Sequence, residues 1–311
     1  MKKTNQMSRL SYLVLLVLST AAANAQSDCL LIESATSTSK GLESQLKNTF
    51  NNANKITEEY RQILASPNGS YTQKKTFEYN AKGYLSKTTE YINDAVKSVK
   101  NRTYDNLGNL ISETEGLETN GANLINRLTT SGTGSVKLYF GENNVISGTE
   151  IIEKDASGNV TKHNVLNSDN KLNSSKEYRY DNESKTVYAK NNDVVGGMLE
   201  ETYTDYNANG QISKDSTYLN NTLIAKTLFE YTNGFLTTKT RIGRNNKVDY
   251  EIIYTNDNAG KVIEERFIYN GELLSRVENS YDDFDNLVVE KRYNNENQLL
   301  RTKTWEYNCP N

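Results

Sequence analysis

The chain has 311 residues, with 36 Lys or Arg against 39 Asp or Glu, and therefore a net charge of −3 at pH 7. This weakly acidic balance argues against nucleic acids and anionic membrane surfaces as partners. Hydrophobic residues make up 35% of the chain, which is low for a packed globule and suits a sheet with one solvated face. Only two prolines occur, which favours uninterrupted strand pairing, because proline removes a backbone donor.

Residues 1–25 have the pattern of a secretory signal peptide. Basic residues come first, residues 10–18 are apolar, and residues 23–25 read Ala-Asn-Ala, a small-x-small cleavage site. The apolar stretch is too short to cross a bilayer as a helix. The sequence therefore predicts an exported protein without a membrane span, located in the periplasm, on the outer surface or in the medium.

Residues 26–69 are predicted to form an N-terminal segment with one short amphipathic helix. Between residues 40 and 65, apolar residues recur at steps of three and four, as in one face of a helix. These residues are Leu42, Leu46, Phe50, Ala53, Ile56, Tyr60, Ile63 and Leu64. We interpret the helix as a cap over the first edge of a sheet, which would otherwise expose unpaired backbone groups. A helix that binds a partner is the alternative.

Residues 70–311 carry a turn sequence that recurs about every 25 residues, and its clearest copy is the segment Tyr104–Leu110, Tyr-Asp-Asn-Leu-Gly-Asn-Leu. A period held over nine copies marks a repeat architecture in which each unit packs on its neighbours. The turn glycine or its substitute lies at Gly83, Gly108, Gly134, Gly158, Ser184, Gly210, Gly234, Gly260 and Asp285.

Each repeat is predicted to be a β-hairpin. The segments between turns are rich in Thr, Tyr, Val and Ile with apolar–polar alternation, and a second turn lies midway through each unit. Nine units then give about 18 antiparallel strands in a twisted or curled meander, an all-β fold. The turn residues are predicted to be structural: glycine supplies a positive φ and the acidic or amide residue bonds to the turn backbone. They are Tyr79, Gly83, Tyr104, Asp105, Gly108, Tyr206, Gly210 and Tyr281.

The two cysteines lie outside the repeat, at Cys29 and Cys309. Paired cysteines are the usual arrangement in an exported protein, so we predict a disulfide. A bridge requires Cα atoms within about 7 Å, whereas 18 strands laid flat would extend over roughly 85 Å. The pairing thus also predicts that the sheet curls or that the N-terminal segment runs along it.

Residues suited to catalysis are scarce or scattered. His163 is the single histidine, which excludes a two-histidine metal site, and it is predicted to be a surface residue. Carboxylates are numerous, so a two-carboxylate, glycan-active enzyme stays open as an alternative. The sequence predicts no cofactor, no metal and no catalytic residue.

The turn Tyr104-Asp105-x-x-Gly108-x-Leu110 resembles the YD repeat of the RHS family and of secreted repeat proteins from Bacteroidetes. Tyr79, Tyr206 and Tyr281 begin copies with one substitution each. The resemblance implies a long antiparallel sheet that serves as a shell or as an extracellular interaction module.

Together these patterns predict an exported, non-enzymatic β-repeat protein that acts as a binding or structural module at or outside the cell envelope. The alternative is a glycan-binding protein associated with polysaccharide use. The sequence does not identify the partner, for which an extracellular glycan and an envelope protein are the candidates. Clustered, exposed tyrosines would favour glycan binding, because aromatic rings stack on sugars. Tyrosines buried evenly in every unit would favour a scaffold.

Overall fold

The computed structural model describes residues 29–66, 69–116, 123–131, 134–141 and 145–309, so the predicted signal peptide lies outside the described residues. The described part of the chain forms 22 β-strands. The strands are β1 (Leu30–Thr38), β2 (Gly41–Phe50), β3 (Ile56–Ile63), β4 (Tyr71–Tyr79), β5 (Leu85–Ile92), β6 (Ala95–Tyr104), β7 (Leu110–Gly116), β8 (Asn123–Ser131), β9 (Gly134–Phe140), β10 (Ile146–Lys154), β11 (Val160–Asn167), β12 (Leu172–Tyr180), β13 (Thr186–Asp193), β14 (Met198–Tyr206), β15 (Ile212–Leu219), β16 (Thr222–Thr232), β17 (Phe235–Gly243), β18 (Val248–Asn256), β19 (Val262–Tyr269), β20 (Glu272–Tyr281), β21 (Leu287–Asn294) and β22 (Leu299–Asn308).

The strands form one antiparallel meander, which confirms the predicted fold class. Each strand pairs with the strands before and after it, and β1 pairs with β22 as well as with β2. The curl expected from accumulated twist therefore continues until the sheet closes on itself. At about 4.8 Å per strand and a tilt of about 35–45°, a circular ring of this strand number has a diameter of roughly 45 Å.

The predicted capping helix is wrong, because residues 40–65 form β2, a turn and β3. The segment Phe50–Ile56 is a further copy of the repeat turn, with Phe50 in place of tyrosine and Asn54 in place of glycine. Asn54 adopts the left-handed conformation with φ 57°. The helix-like spacing of apolar residues between positions 40 and 65 arises by coincidence from two short strands. Because β1 pairs with β22, the described sheet has no free edge for a helix to cap.

Successive turns lie at opposite ends of the ring, because consecutive strands are antiparallel. The turns that follow even-numbered strands are the repeat turns, and they share one end, which we call the repeat rim. No helix that is long and apolar enough to cross a membrane is found in the part of the chain that the structure describes.

The two faces of the ring differ in how strongly they are desolvated. Among the charged side chains, burial is the first cause of the raised pKa of Asp215 and Glu265 and of the lowered pKa of Lys239, and burial also raises the pKa of Tyr254 to about 12. Strand alternation and register place all four on the face of the repeat tyrosines, such as Tyr231. Side chains converge on the concave side of a closed sheet, so we identify this face as the inner face.

The ring has little densely packed interior. Among the described residues, the buried apolar side chains are those of Val99, Tyr188, Ala225 and Val277. Most of the other described side chains are half-buried or exposed. Both faces therefore remain largely solvated, and the fold is stabilised by strand pairing and by contacts between neighbouring repeats.

Candidate functional site

Most of the repeat turns that the structure describes are built in the same way, as the copy at Tyr104 shows. Asp105 Oδ1 accepts hydrogen bonds from the backbone N–H groups of Leu107 at 2.9 Å and Asn109 at 2.8 Å. Hydrogen bonds from the side chain and backbone of Asn109 are the main causes of the lowered pKa of Asp105. Gly108 has φ 88°, a conformation that only glycine adopts without strain.

Each repeat tyrosine ties its turn to the preceding repeat. The Tyr104 hydroxyl donates a hydrogen bond to the carbonyl oxygen of Leu85, two residues after the preceding turn glycine, at 2.7 Å. Equivalent bonds at 2.7–2.9 Å join Tyr79 to Ile56, Tyr180 to Val160, Tyr206 to Thr186, Tyr231 to Ile212 and Tyr281 to Val262. The tyrosines therefore serve the contacts between units.

The residue after each turn glycine reaches over the next turn. Tyr84 packs against Tyr104, with 5.2 Å between ring centroids, and its hydroxyl lies where a Cβ on Gly108 would be. In three other units a lysine ammonium lies 5.2–5.5 Å from the ring centre of the next tyrosine, a cation–π distance. The pairs are Lys55 with Tyr79, Lys185 with Tyr206 and Lys261 with Tyr281.

We expect Tyr104→Phe to lower the free energy of unfolding by about 1 kcal/mol, because it removes one hydrogen bond and leaves the Leu85 carbonyl without that donor. Tyr206→Phe removes the same bond in a distant unit and should cost a similar amount. The two effects should add in the double variant, since the sites share no partner. Urea unfolding of the four proteins tests this; unchanged midpoints would show that the hydroxyls do not join the units.

The predicted disulfide between Cys29 and Cys309 is confirmed, with Cα atoms 4.1 Å apart. In the pairing of β1 with β22, Leu30 lies opposite Asn308 and Leu31 opposite the repeat tyrosine Tyr307. The bridge thus lies on the repeat rim, at the place where a repeat turn would join these two strands. At this position the disulfide joins the two strands covalently, as turns join other neighbouring pairs.

His163 lies on the inner face and is held by a neighbouring carboxylate. Its Nε2 is 2.5 Å from Glu150 Oε1, and the Tyr139 hydroxyl donates to Glu150 Oε2 at 2.8 Å. Burial opposes the ionisation of Glu150, but the hydrogen bonds from Tyr139 and His163 outweigh it and lower the pKa of Glu150. Burial, followed by Glu150, raises the pKa of Tyr139 to about 12. Both carboxylate oxygens are thus engaged by neighbours.

Asp215 and Glu265 are the carboxyl groups whose pKa values burial raises. They lie on β15 and β19, with three strands between them. That places them roughly 19 Å apart across the sheet, whereas the two carboxyl groups of a glycosidase are about 5–9.5 Å apart. These two residues therefore do not form such a pair.

A different group of tyrosines forms the most distinctive cluster, on the outer face. Tyr188, Tyr203 and Tyr218 lie on the successive strands β13, β14 and β15, and we call them the tyrosine ladder. Tyr188 lies directly opposite Tyr203, with 5.0 Å between ring centroids. Tyr203 meets Tyr218 edge to face at 5.7 Å. None of the three occupies the repeat position.

The tyrosine ladder borders a cleft with polar groups beside it. The cleft has a volume of about 380 Å³ and is lined by Glu201, Tyr203, Tyr218 and Asn221. The Tyr188 hydroxyl donates to Glu201 Oε1 at 2.6 Å, which raises the pKa of Tyr188 together with its burial, the larger cause. Tyr203 is 44% exposed. The cleft thus offers an aromatic ring, a carboxylate and an amide.

No protein-family model matches the chain. No curated protein matches it either. Among solved structures, a porin-like protein from Bacteroides uniformis is similar over 81% of this chain and 96% of that chain, with 11% identity and a TM-score of 0.33. A porin-like protein from Bacteroides vulgatus covers 75% of this chain and 93% of its own, with 13% identity and a TM-score of 0.23.

The chain is also similar to the TcdB2-TccC3-TEV structure, with 10% identity and a TM-score of 0.24. The match covers 87% of this chain and 19% of that one. Similarity at this level carries no conclusion about shape or activity.

Proposed function

We propose that the protein is exported and acts without catalysis as a glycan-binding module at or outside the cell envelope, with its ligand in the cleft of the tyrosine ladder. The leader-like residues 1–25 support export. The disulfide supports it independently, because disulfides persist in oxidising compartments. The repeat-turn residues have a structural role in this proposal, since their hydrogen bonds join successive units.

The exposed ring of Tyr203 is the observation that carries the proposal. Flat aromatic rings present an apolar surface to the C–H face of a sugar, while hydroxyl groups around the sugar need hydrogen-bond partners. Tyr188 engages one oxygen of Glu201, which leaves the other as an acceptor. The Asn221 amide supplies both a donor and an acceptor. This combination suits a neutral saccharide better than an apolar ligand.

Binding without bond cleavage is the reading that the cleft supports. Glu201 is the one carboxylate among its lining residues, whereas glycoside hydrolysis generally uses two. The carboxyl groups with raised pKa values, Asp215 and Glu265, are on the opposite face and far from each other.

A Tyr203→Ala variant tests the proposed site. Residues 26–311 would be titrated calorimetrically with neutral oligosaccharides of glucose, xylose and mannose. We expect at least one to bind, and Tyr203→Ala to weaken it about tenfold or more, as for an aromatic residue at the centre of a binding site. Tyr269→Ala is the matched control, because Tyr269 is similarly exposed, at 47%, but lies on β19. Equal losses in the two variants, or no binding by any of the sugars, would contradict the assignment.

A further inference from the structure

Two arginines face each other directly on the inner face of β21 and β22. Arg292 is the cross-strand partner of Arg301, and like charges in this position destabilise a sheet unless something neutralises them. Arg301 Nη2 lies 3.3 Å from Glu290 Oε1. In the part of the chain that the structure describes, no carboxylate is within ion-pair distance of Arg292, whose side chain is exposed.

The outer face contains a second opposed arginine pair, which shows what full neutralisation looks like. Arg266 lies opposite Arg276 on β19 and β20. Glu264 bridges both, at 3.4 Å from Arg266 Nε and 3.1 Å from Arg276 Nη1, and Glu278 also pairs with Arg276. Two carboxylates thus balance two guanidinium groups. The inner pair, Arg292 and Arg301, has only one carboxylate within ion-pair distance in the described part of the chain, so one positive charge is not neutralised.

The surroundings of the inner pair add another cation and an aromatic ring. Lys303 and Trp305 follow Arg301 at alternate positions of β22 and therefore point to the same face. Glu290 is the cross-strand partner of Lys303 as well as the ion-pair partner of Arg301. One carboxylate on β21 and β22 therefore faces three cations.

The neighbouring strands do not cancel this charge at close range. On β1, the partners of Arg301, Lys303 and Trp305 are hydroxyl residues: Thr38, Thr36 and Ser34. On the other side, Val277 separates Arg292 from Glu265. Glu265 has a pKa raised first by burial, although Arg292 acts to lower it.

We propose that Arg292, Arg301, Lys303 and Trp305 form a binding strip for a saccharide that bears a carboxylate or sulfate group. A guanidinium group matches the two oxygens of such an anion with parallel N–H donors, and an anion between Arg292 and Arg301 relieves their repulsion. Trp305 offers a ring for stacking on the sugar, and the β1 hydroxyls offer partners for its hydroxyl groups. This site is separate from the tyrosine ladder, which lies on the outer face of β13 to β15.

Trp305 is the single tryptophan of the chain, so its fluorescence reports on this strip alone. The protein would be titrated with trigalacturonate, maltotriose as the neutral trisaccharide, and sodium sulfate. We expect trigalacturonate to change the fluorescence saturably and more tightly than either other probe, with affinity falling as salt is added. Arg292→Gln should weaken it about tenfold or more, because a charged hydrogen-bond donor is lost. Arg266→Gln, in the neutralised outer pair, should leave the affinity unchanged.

Several results would overturn the inference. Maltotriose binding as tightly as trigalacturonate would show that the charges are not used, and sulfate binding as tightly would remove the saccharide from the assignment. An unaffected Arg292→Gln variant, or no fluorescence change with any probe, would also refute it. Tyr203→Ala separates the two sites: it should leave trigalacturonate binding intact even if the outer cleft binds no sugar.

Discussion

Replacing both Cys29 and Cys309 with serine is expected to lower the free energy of unfolding by up to about 5 kcal/mol. The bridge spans a sequence separation of 280 residues, and a cross-link over so long a loop removes much conformational freedom from the unfolded chain. For a chain of this size, that loss corresponds to a melting temperature lower by roughly 8 °C. Thermal melts of the oxidised protein and of the double variant measure it.

The same substitution should also have a local signature. β1 and β22 remain paired through backbone hydrogen bonds, but without the bridge their pairing is the place where the ring can open without breaking a chain connection. Backbone amides of β1 and β22 should then exchange with deuterium faster, while those of β11 and β12 on the far side should not. Reductant should shift the melting of the parent protein but not that of the double variant.

Equal melting temperatures for the oxidised parent and the double variant would contradict this account. So would non-reducing mass spectrometry that finds two free thiols or a disulfide-linked dimer in place of one intramolecular Cys29–Cys309 peptide. The first result would mean that strand pairing alone holds β1 beside β22. The second would mean that the two cysteines do not meet within one molecule.

Gly108→Val is expected to destabilise the protein by about 3 kcal/mol, from two causes that the structure separates. A β-branched residue at φ 88° is strained, by about 1–3 kcal/mol. A side chain at this position also overlaps the Tyr84 ring, and forcing atoms into an occupied space costs about 1–3 kcal/mol more. Urea unfolding midpoints provide the measurement.

Gly158→Val is the matched control, because Gly158 also has φ 88° but a Cβ there would meet nothing within 4 Å. It should show the backbone strain without the crowding and therefore lose less stability than Gly108→Val. Asn106→Ala, in the exposed part of the same turn as Gly108, should lose least. Equal losses at Gly108 and Gly158 would show that Tyr84 moves aside freely. A loss at Gly158 no larger than that of Asn106→Ala would show that the positive φ carries no strain.

The hairpin repeat was predictable from the sequence because each turn needs particular residues at particular positions. Positive φ values occur not only at the turn glycines but also at the predicted substitutes, 62° at Ser184 and 71° at Asp285. Asp and Asn also tolerate this conformation when their side chains bond locally. The first repeat turn was missed because Phe50 and Asn54 replace the two most recognisable residues.

Closure could not be read from the local pattern. It depends on strand tilt and on twist summed over all 22 strands, which no single repeat encodes. The cysteines were the one long-range signal, since their pairing required the two ends of the sheet to meet. That requirement was met by curling, and no segment runs along the sheet in the described residues.

The tyrosine ladder was missed because its members are neighbours only through strand register. Tyr188, Tyr203 and Tyr218 are each 15 residues apart in the sequence, about the length of a strand, a turn and part of the next strand. Tyrosines at that spacing on consecutive strands, outside the repeat position, were the signal available. The partnership of His163 with Glu150 was hidden for the same reason, since it joins β10 to β11.

Closure through antiparallel pairing restricts how such a ring can change its width over evolutionary time. β1 and β22 run antiparallel and pair, which a meander permits only when the number of strands is even. A gene duplication or deletion can therefore be accommodated only in whole hairpins, because a single added strand would make the first and last strands run parallel. Each hairpin gained adds two strand spacings, about 9.6 Å, to the circumference, or roughly 4 Å to the diameter of a tilted ring. The diameter of such a ring thus changes in discrete steps, and substitutions of side chains within one repeat do not adjust it.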